Sequence, residues 1–249
     1  MIIEDSFVFI HIPKTAGKAL ERHFNVAPDT RLKHLPLRNK IKDIKGRKIF
    51  CNIRNPWDWY VSRYFHGLTP SSAIARGSDR TKSRIPEARK VLRKLGYNID
   101  LYKDYEKFEI NKLFMKKEIF NRYLNHIFRD SKSLSEDKLF SVPNVGALTY
   151  AYFDMCAKIK IPREAKIRDV FERHNSLIGV DKVLKLEEFP DNMFEFLGIQ
   201  KDQIKDQNKL SSFRSHHYSH YYDDDTLKLI EEKEKFIINE FDYEFEDRN

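Results

Sequence analysis

The chain has 249 residues, 41% hydrophobic and 13% aromatic, with 46 Lys/Arg against 38 Asp/Glu for a formal net charge of +8. That is material for one or two domains with a sizeable core, and no run reaches the roughly 18 uninterrupted apolar residues a bilayer span needs. Only two cysteines occur, Cys51 and Cys156, which excludes a disulfide framework and a four-cysteine zinc site. The opening Met1–Asp5 is acidic where a secretory signal is basic, and no small-residue cleavage site follows. The expectation is a soluble, cytoplasmic protein.

The charge is uneven. Residues 1–100 carry 21 Lys/Arg and 9 Asp/Glu, whereas the remaining 149 carry 25 and 29. A basic N-terminal part points to an anionic ligand such as phosphate, nucleic acid or an acidic polymer; a solvated lysine-rich surface is the plainer alternative.

In chain order, Ser6–Ile12 is a short apolar run bounded by Pro13, the pattern of a strand buried on both faces. Gly17–Asn25 reads as a short helix and Lys48–Ile53 as a second buried strand. Asn55-Pro56 is a helix start, with Asn as N-cap and Pro at the first helical position. Behind it Trp57, Val61, Tyr64, Phe65 and Leu68 fall on one stripe. Strand–loop–helix occurs twice, the grammar of a parallel α/β sheet. The polar stretch 69–83 reads as a loop. Pro86–Leu95 and Leu101–Phe128 read as helices, the second with Phe120, Tyr123, Leu124 and Ile127 as its apolar face. Region 131–180 has little pattern beyond a helical Pro162–His174. Asp181–Leu186 reads as another strand, followed by a helix through Leu197 that ends at Gly198. Asp223–Asp225 place acids at the positive end of a final helix, with Leu227, Ile230, Ile237, Ile238 and Phe241 as its stripe. With no repeat or linker, the reading is one domain over 1–249 with a helical insertion at about 84–180.

Two segments carry chemistry. Pro13-Lys14-Thr15-Ala16-Gly17-Lys18-Ala19 lies between a strand and a helix, where backbone N–H groups and the helix's positive end converge on one small volume. Lys14 and Lys18 add charge, and Gly17 removes a side chain from a place of close approach. It is not the nucleotide triphosphatase loop G-x-x-x-x-G-K-[ST]. Aligned on Gly17-Lys18, that loop's first glycine falls at Ile12 and its metal-binding hydroxyl at Ala19. The second segment puts Arg54 at the C-terminal end of a strand, the edge where open α/β sheets bind ligands, and Ser62 in the second turn of the next helix. Arg54 can grip a phosphate with a bidentate fork, and Ser62 can add a hydrogen bond. The plainer alternatives are an ordinary strand-to-helix turn and an Arg54–Asp58 pair.

The segments FVFIHIPKTAGKAL and CNIRNPWDWYVSRYFH resemble the two signature motifs of the sulfotransferases that use 3′-phosphoadenosine 5′-phosphosulfate, PAPS. VLKLEEFPDNMFEFLG (Val183–Gly198) and the span Tyr218–Phe245 are similar to the closing elements of the carbohydrate-type and bacterial branches. The resemblance covers about 130 residues in separate blocks, and 69–180 carries little of it. It implies a P-loop-like parallel sheet flanked by helices. It also implies that Pro13–Ala19 cradles the 5′-phosphosulfate and that Arg54 and Ser62 hold the 3′-phosphate. The product is then adenosine 3′,5′-bisphosphate, and no metal is required. Where the family's loop ends in hydroxyl residues, this chain has Lys18 and Ala19. The family also draws contacts from a C-terminal loop, here Asn208–Tyr218 with Lys209, Ser211, Ser212 and Arg214.

For the reaction, Lys14 is the candidate to stabilise the leaving oxygen, and the acceptor hydroxyl needs a base. His34, between the two motifs, reads as ending an intervening strand on the same sheet edge. The related uronyl 2-O-sulfotransferases carry a histidine base at that place. His11, within the first strand, reads as packed. His216, His217 and His220 form a tyrosine-rich cluster without the further ligands a metal needs. The expected partner is a saccharide or small-molecule acceptor, anionic ones included, with neither nucleic acid nor membrane. A nucleotide-dependent kinase and a basic nucleic-acid-binding protein are the alternatives.

Overall fold

Among the described residues, four short runs of β-forming residues make one open sheet: β1 (Ile2–Ile3), β2 (Phe7–Ile10), β3 (Lys48–Ile53) and β4 (Lys182–Lys185), in that order. The computed structural model describes residues 1–24, 34–44, 46–68, 93–96, 116–128, 137–199 and 216–248. β2, β3 and β4 run parallel, with Ile10 opposite Cys51 and Ile53 opposite Lys185. β1 is an addition to the expected parallel sheet. It pairs antiparallel with β2, Ile2 opposite Phe9, because the chain turns back through Asp5 and Ser6.

Helices cover the sheet, as the continuous apolar strands require. On one face Phe7, Phe9, Phe50 and Leu184 pack with Leu20 of α1 (Gly17–His23) and with Met193 and Phe194. The latter two lie on the short helix Asp191–Leu197, which stops at left-handed Gly198 as expected. Each buried phenylalanine contributes about 1.5–3 kcal/mol. The alternate residue Cys51 points to the other face, where its thiol meets that of Cys156. Burial pushes the Cys156 thiol up, and the neighbouring Cys51 adds to the shift. Both cysteines are free and buried.

The chain forms two compact units. The first comprises Met1–Asn55, Ser135–Ser141 and Leu148–Ser211, and holds the sheet; the second comprises Pro56–Leu134, Val142–Ala147 and Ser212–Asn249. The second is helical: α2 (Pro56–Leu68), α3 (Lys117–Phe128), then two short helices near the C-terminus, Asp224–Lys233 and Lys235–Glu240. Its centre is aromatic. Tyr64 packs on Phe120 and Tyr123 at 5.3 and 5.0 Å between ring centres, and burial pushes the Tyr123 phenol up to about 12.

The expected final helix is two helices, broken at Glu234. Asp223 caps the first, its side chain accepting from Thr226 N–H at 2.8 Å. At the break, Glu234 is wholly buried. Tyr60 donates its hydroxyl to Glu234 Oε1 at 2.7 Å and accepts from Ala147 N–H at 2.7 Å. Of the expected stripe Ile230 and Ile237 are buried, while Leu227, Ile238 and Phe241 are half-buried.

In the described part of 84–180 the regular elements include α3 and a helix at Ala147–Cys156 that the sequence pattern did not mark. ALTYAYFDMC is apolar nearly all round, so it has no stripe to read. Two shorter helices, Ile167–Glu172 and His174–Leu177, replace the single one expected over Pro162–His174. Ala165 accepts from Phe140 N–H and Ile167 N–H is taken by Lys138, which holds that stretch extended. The expected loop at 69–83, most of Pro86–Leu95, and 101–115 lie outside the described residues. No described helix is long and apolar enough to cross a membrane.

Tyr60→Phe is expected to destabilise the second unit by about 1.5–3 kcal/mol, since it removes both the bond to the buried Glu234 carboxyl and the acceptor of the Ala147 N–H. Urea unfolding of the substituted chain measures it.

Candidate functional site

β2, β3 and β4 are parallel, so their C-terminal ends lie side by side and the segments leaving them share one edge. The segment after β2 is conformationally unusual. Lys14 (φ 71°) and Ala16 (φ 66°) are both left-handed, a region that costs an alanine or lysine about 1–2 kcal/mol. Side chains hold the loop there. Thr15, fully buried, donates its hydroxyl to the Ile12 carbonyl at 2.8 Å. Arg54 Nη1 donates to the Lys14 carbonyl and Asn52 Nδ2 to the Thr15 carbonyl, each at 3.3 Å.

Those two bonds set the direction of the loop's donors. In a trans peptide the carbonyl and the following N–H point opposite ways. With the carbonyls of Lys14 and Thr15 drawn toward β3, the N–H groups of Thr15 and Ala16 turn away from it. Gly17 and Lys18 open α1, where no side chain caps the helix and the first N–H groups have no intrahelical partner. Among the described residues, the N–H groups of Thr15, Ala16, Gly17 and Lys18 have no hydrogen-bond partner. Four successive donors make a concavity suited to an anion. Lys14 is half-buried beside it and Lys18 is exposed, while Ala19 is buried and faces inward.

Packing gives Gly17 a further reason to lack a side chain. A Cβ built on it would lie 2.0–2.3 Å from three ring atoms of His11, so the missing side chain makes room for an imidazole. His11 lies just past the end of β2 and is buried, as its place in the run suggested. Its ring stacks on Phe9 at 5.9 Å and lies 4.7 Å from that of His34.

His34 is half-buried and sits in a turn, not at a strand end. β2 and β3 pair directly, so no strand separates them in the sheet; residues 31–33 lie outside the described residues. His34 nevertheless comes to the same edge. Its Nδ1 contacts the His11 carbonyl at 3.4 Å. A carbonyl only accepts, so in this contact Nδ1 is the nitrogen that would donate.

The second motif also meets the first. Besides Arg54, Asn55 is tied in: its N–H donates to Glu187 Oε1, on the segment leaving β4, at 2.7 Å. Pro13 and Arg54 are half-buried, and so is Ser62, which belongs to α2 in the second unit. Asn52 and Glu187 were missed from sequence. The only available signals were one amide in the apolar strand KIFCNI and an acid directly after β4. Lys209, Ser211, Ser212 and Arg214 lie outside the described residues.

In the histidine cluster, the rings of His216 and His220 stack at 4.3 Å. Burial, then His216 and Lys117, hold His220 below the ordinary imidazole range.

Compared with protein-family models, curated proteins and solved structures, the chain matches none.

Gly17→Ala is expected to destabilise the sheet unit by about 1–3 kcal/mol, the usual effect of forcing an extra methyl into a packed site. Lys18→Ala, one residue on and exposed, should change stability by less than about 0.5 kcal/mol. Paired urea unfolding curves make the comparison.

Proposed function

We propose that the chain is a sulfotransferase that moves a sulfuryl group from PAPS to a hydroxyl or amine of a saccharide or small-molecule acceptor. The observation that carries this reading is the row of unbonded N–H groups at Thr15–Lys18, in the loop whose Lys14 carbonyl is bonded by the Arg54 guanidinium. The fit is chemical: four backbone donors and two lysines suit a phosphate, and an arginine on the adjoining strand suits a second one. Bound there, PAPS would supply a sulfuryl group already attached to a phosphate leaving group.

The chain's own residues would do the rest. The N–H groups of Thr15–Lys18 hold the 5′-phosphate. Lys14, with its charge at the loop, balances the negative charge that grows on the leaving oxygen. Arg54 binds the 3′-phosphate through its fork. His34 takes the acceptor's proton through Nε2, with Nδ1 toward the His11 carbonyl. Ile12 and Ala19 lack the glycine and hydroxyl of a triphosphatase loop, which weighs against a kinase.

Calorimetric titration in the absence of Mg²⁺ tests the reading. Adenosine 3′,5′-bisphosphate is expected to bind at about micromolar Kd, near −8 kcal/mol, and ATP and single-stranded DNA far more weakly; the reverse order would overturn it. Arg54→Ala should weaken the bisphosphate by about 1.5–3 kcal/mol and barely affect adenosine 5′-phosphate. Equal losses would mean that Arg54 serves only to tie the loop.

His34→Ala should lower single-turnover transfer from PAPS by about 10²–10⁴-fold while leaving bisphosphate affinity nearly unchanged. Retention of most of the rate would remove His34 as the base.

A further inference from the structure

Asn52 is the anomaly of the sheet. It occupies β3 between Cys51 and Ile53, and all three are wholly buried. Its Nδ2 donates to the Thr15 carbonyl, yet its Oδ1 is buried with no hydrogen-bond partner among the described residues. A buried acceptor without a partner is costly. An amide kept at such a place is kept for its donor.

The donor acts on a peptide with two orientations. Turning the Thr15–Ala16 peptide over by half a revolution would carry Ala16 from φ 66° to about −114°, out of the left-handed region. At Ala16 local preference favours the turned-over form, in which the Ala16 N–H points back toward β3. The bond from Asn52 Nδ2 opposes it. Thr15 Oγ1 anchors to the Ile12 carbonyl and leaves this peptide free to turn. Arg54 holds the preceding peptide, not this one.

We propose that Asn52 is a positioning residue of the loop: it holds the Thr15 carbonyl inward, and so keeps the Ala16 N–H outward and the four-donor row complete. The ligand of that row is the bisphosphate only on the sulfotransferase reading; the control of loop orientation by Asn52 stands apart from it.

Two measurements test the proposal. In the first, the folded Asn52→Leu chain should bind adenosine 3′,5′-bisphosphate about tenfold more weakly, the factor by which a left-handed alanine is disfavoured. Adding Ala16→Gly, which accepts φ 66° without penalty, should restore most of the affinity. An Asn52→Leu chain that binds like the parent, or a loss that Ala16→Gly leaves untouched, overturns the proposal. Asn52→Ser, too short to reach the Thr15 carbonyl, is carried in parallel and read the same way should the leucine variant fail to fold.

The second measurement needs no ligand. Ala16→Gly should raise the unfolding midpoint when Asn52 is present and lose that gain in the Asn52→Leu or Asn52→Ser background. Equal gains in both backgrounds overturn the proposal. If the parent chain binds no bisphosphate, the sulfotransferase reading fails, and the midpoints alone decide the role of Asn52.

Discussion

A peptide unit cannot turn its carbonyl one way without turning its N–H the other, and the edge of this sheet is built on that constraint. β2 and β3 are neighbours about 4.8 Å apart, close enough for side chains at the end of one to reach the backbone leaving the other. Asn52 and Arg54, two residues apart, take successive carbonyls of the β2 loop. Their spacing matches the strand's alternation: both side chains leave β3 on the same side. The loop's donors face outward because its acceptors are occupied inward. A left-handed backbone at two non-glycine positions is the cost, offset by bonds that only a parallel neighbour can supply.

The same economy brings His34 to the edge. It arrives from a turn with no strand to carry it, and it is held by the backbone of His11 and by contact between the two rings. His11 is held in turn by the absence of a side chain at Gly17. Loop, helix start and imidazole pair are thus interlocked through one glycine. A side chain at Gly17 would meet the His11 ring and so press on the imidazole pair.

The strands were legible because the sheet is buried on both faces: continuous apolar runs such as FVFI and KIFCNI have few other uses. The helix start at Pro56 and the stop at Gly198 were legible because they rest on local backbone chemistry. What was not legible depends on partners distant in sequence. The helix break at Glu234 answers to Tyr60 and Ala147, and nothing in EEKEKF announces it. β1 is only two residues long, too short for a pattern. Within the site, Lys14 and Arg54 could be foreseen as cations, but not that Arg54 would bond the Lys14 carbonyl. Gly17 was legible as a place of close approach, but not that the His11 ring lies against it, because the sequence does not say which way His11 turns. Asn52 looked like an imperfection in a strand.

The sheet is completed by a strand that arrives late. β4 pairs with β3 only after about 130 intervening residues, so the chain must close a long loop before the third parallel strand is in place. Closure entropy rises only logarithmically with length, by about 0.6 kcal/mol per doubling. The equilibrium fold is therefore nearly indifferent to how long the intervening stretch is. The rate is another matter, since pairings between distant segments are slow to form. During synthesis β1, β2, α1 and β3 emerge together, with one apolar edge of β3 open until β4 follows. Growth or shrinkage of the stretch between them would alter how long that edge waits exposed, and hence the chance of a wrong partner, far more than it would alter the finished fold.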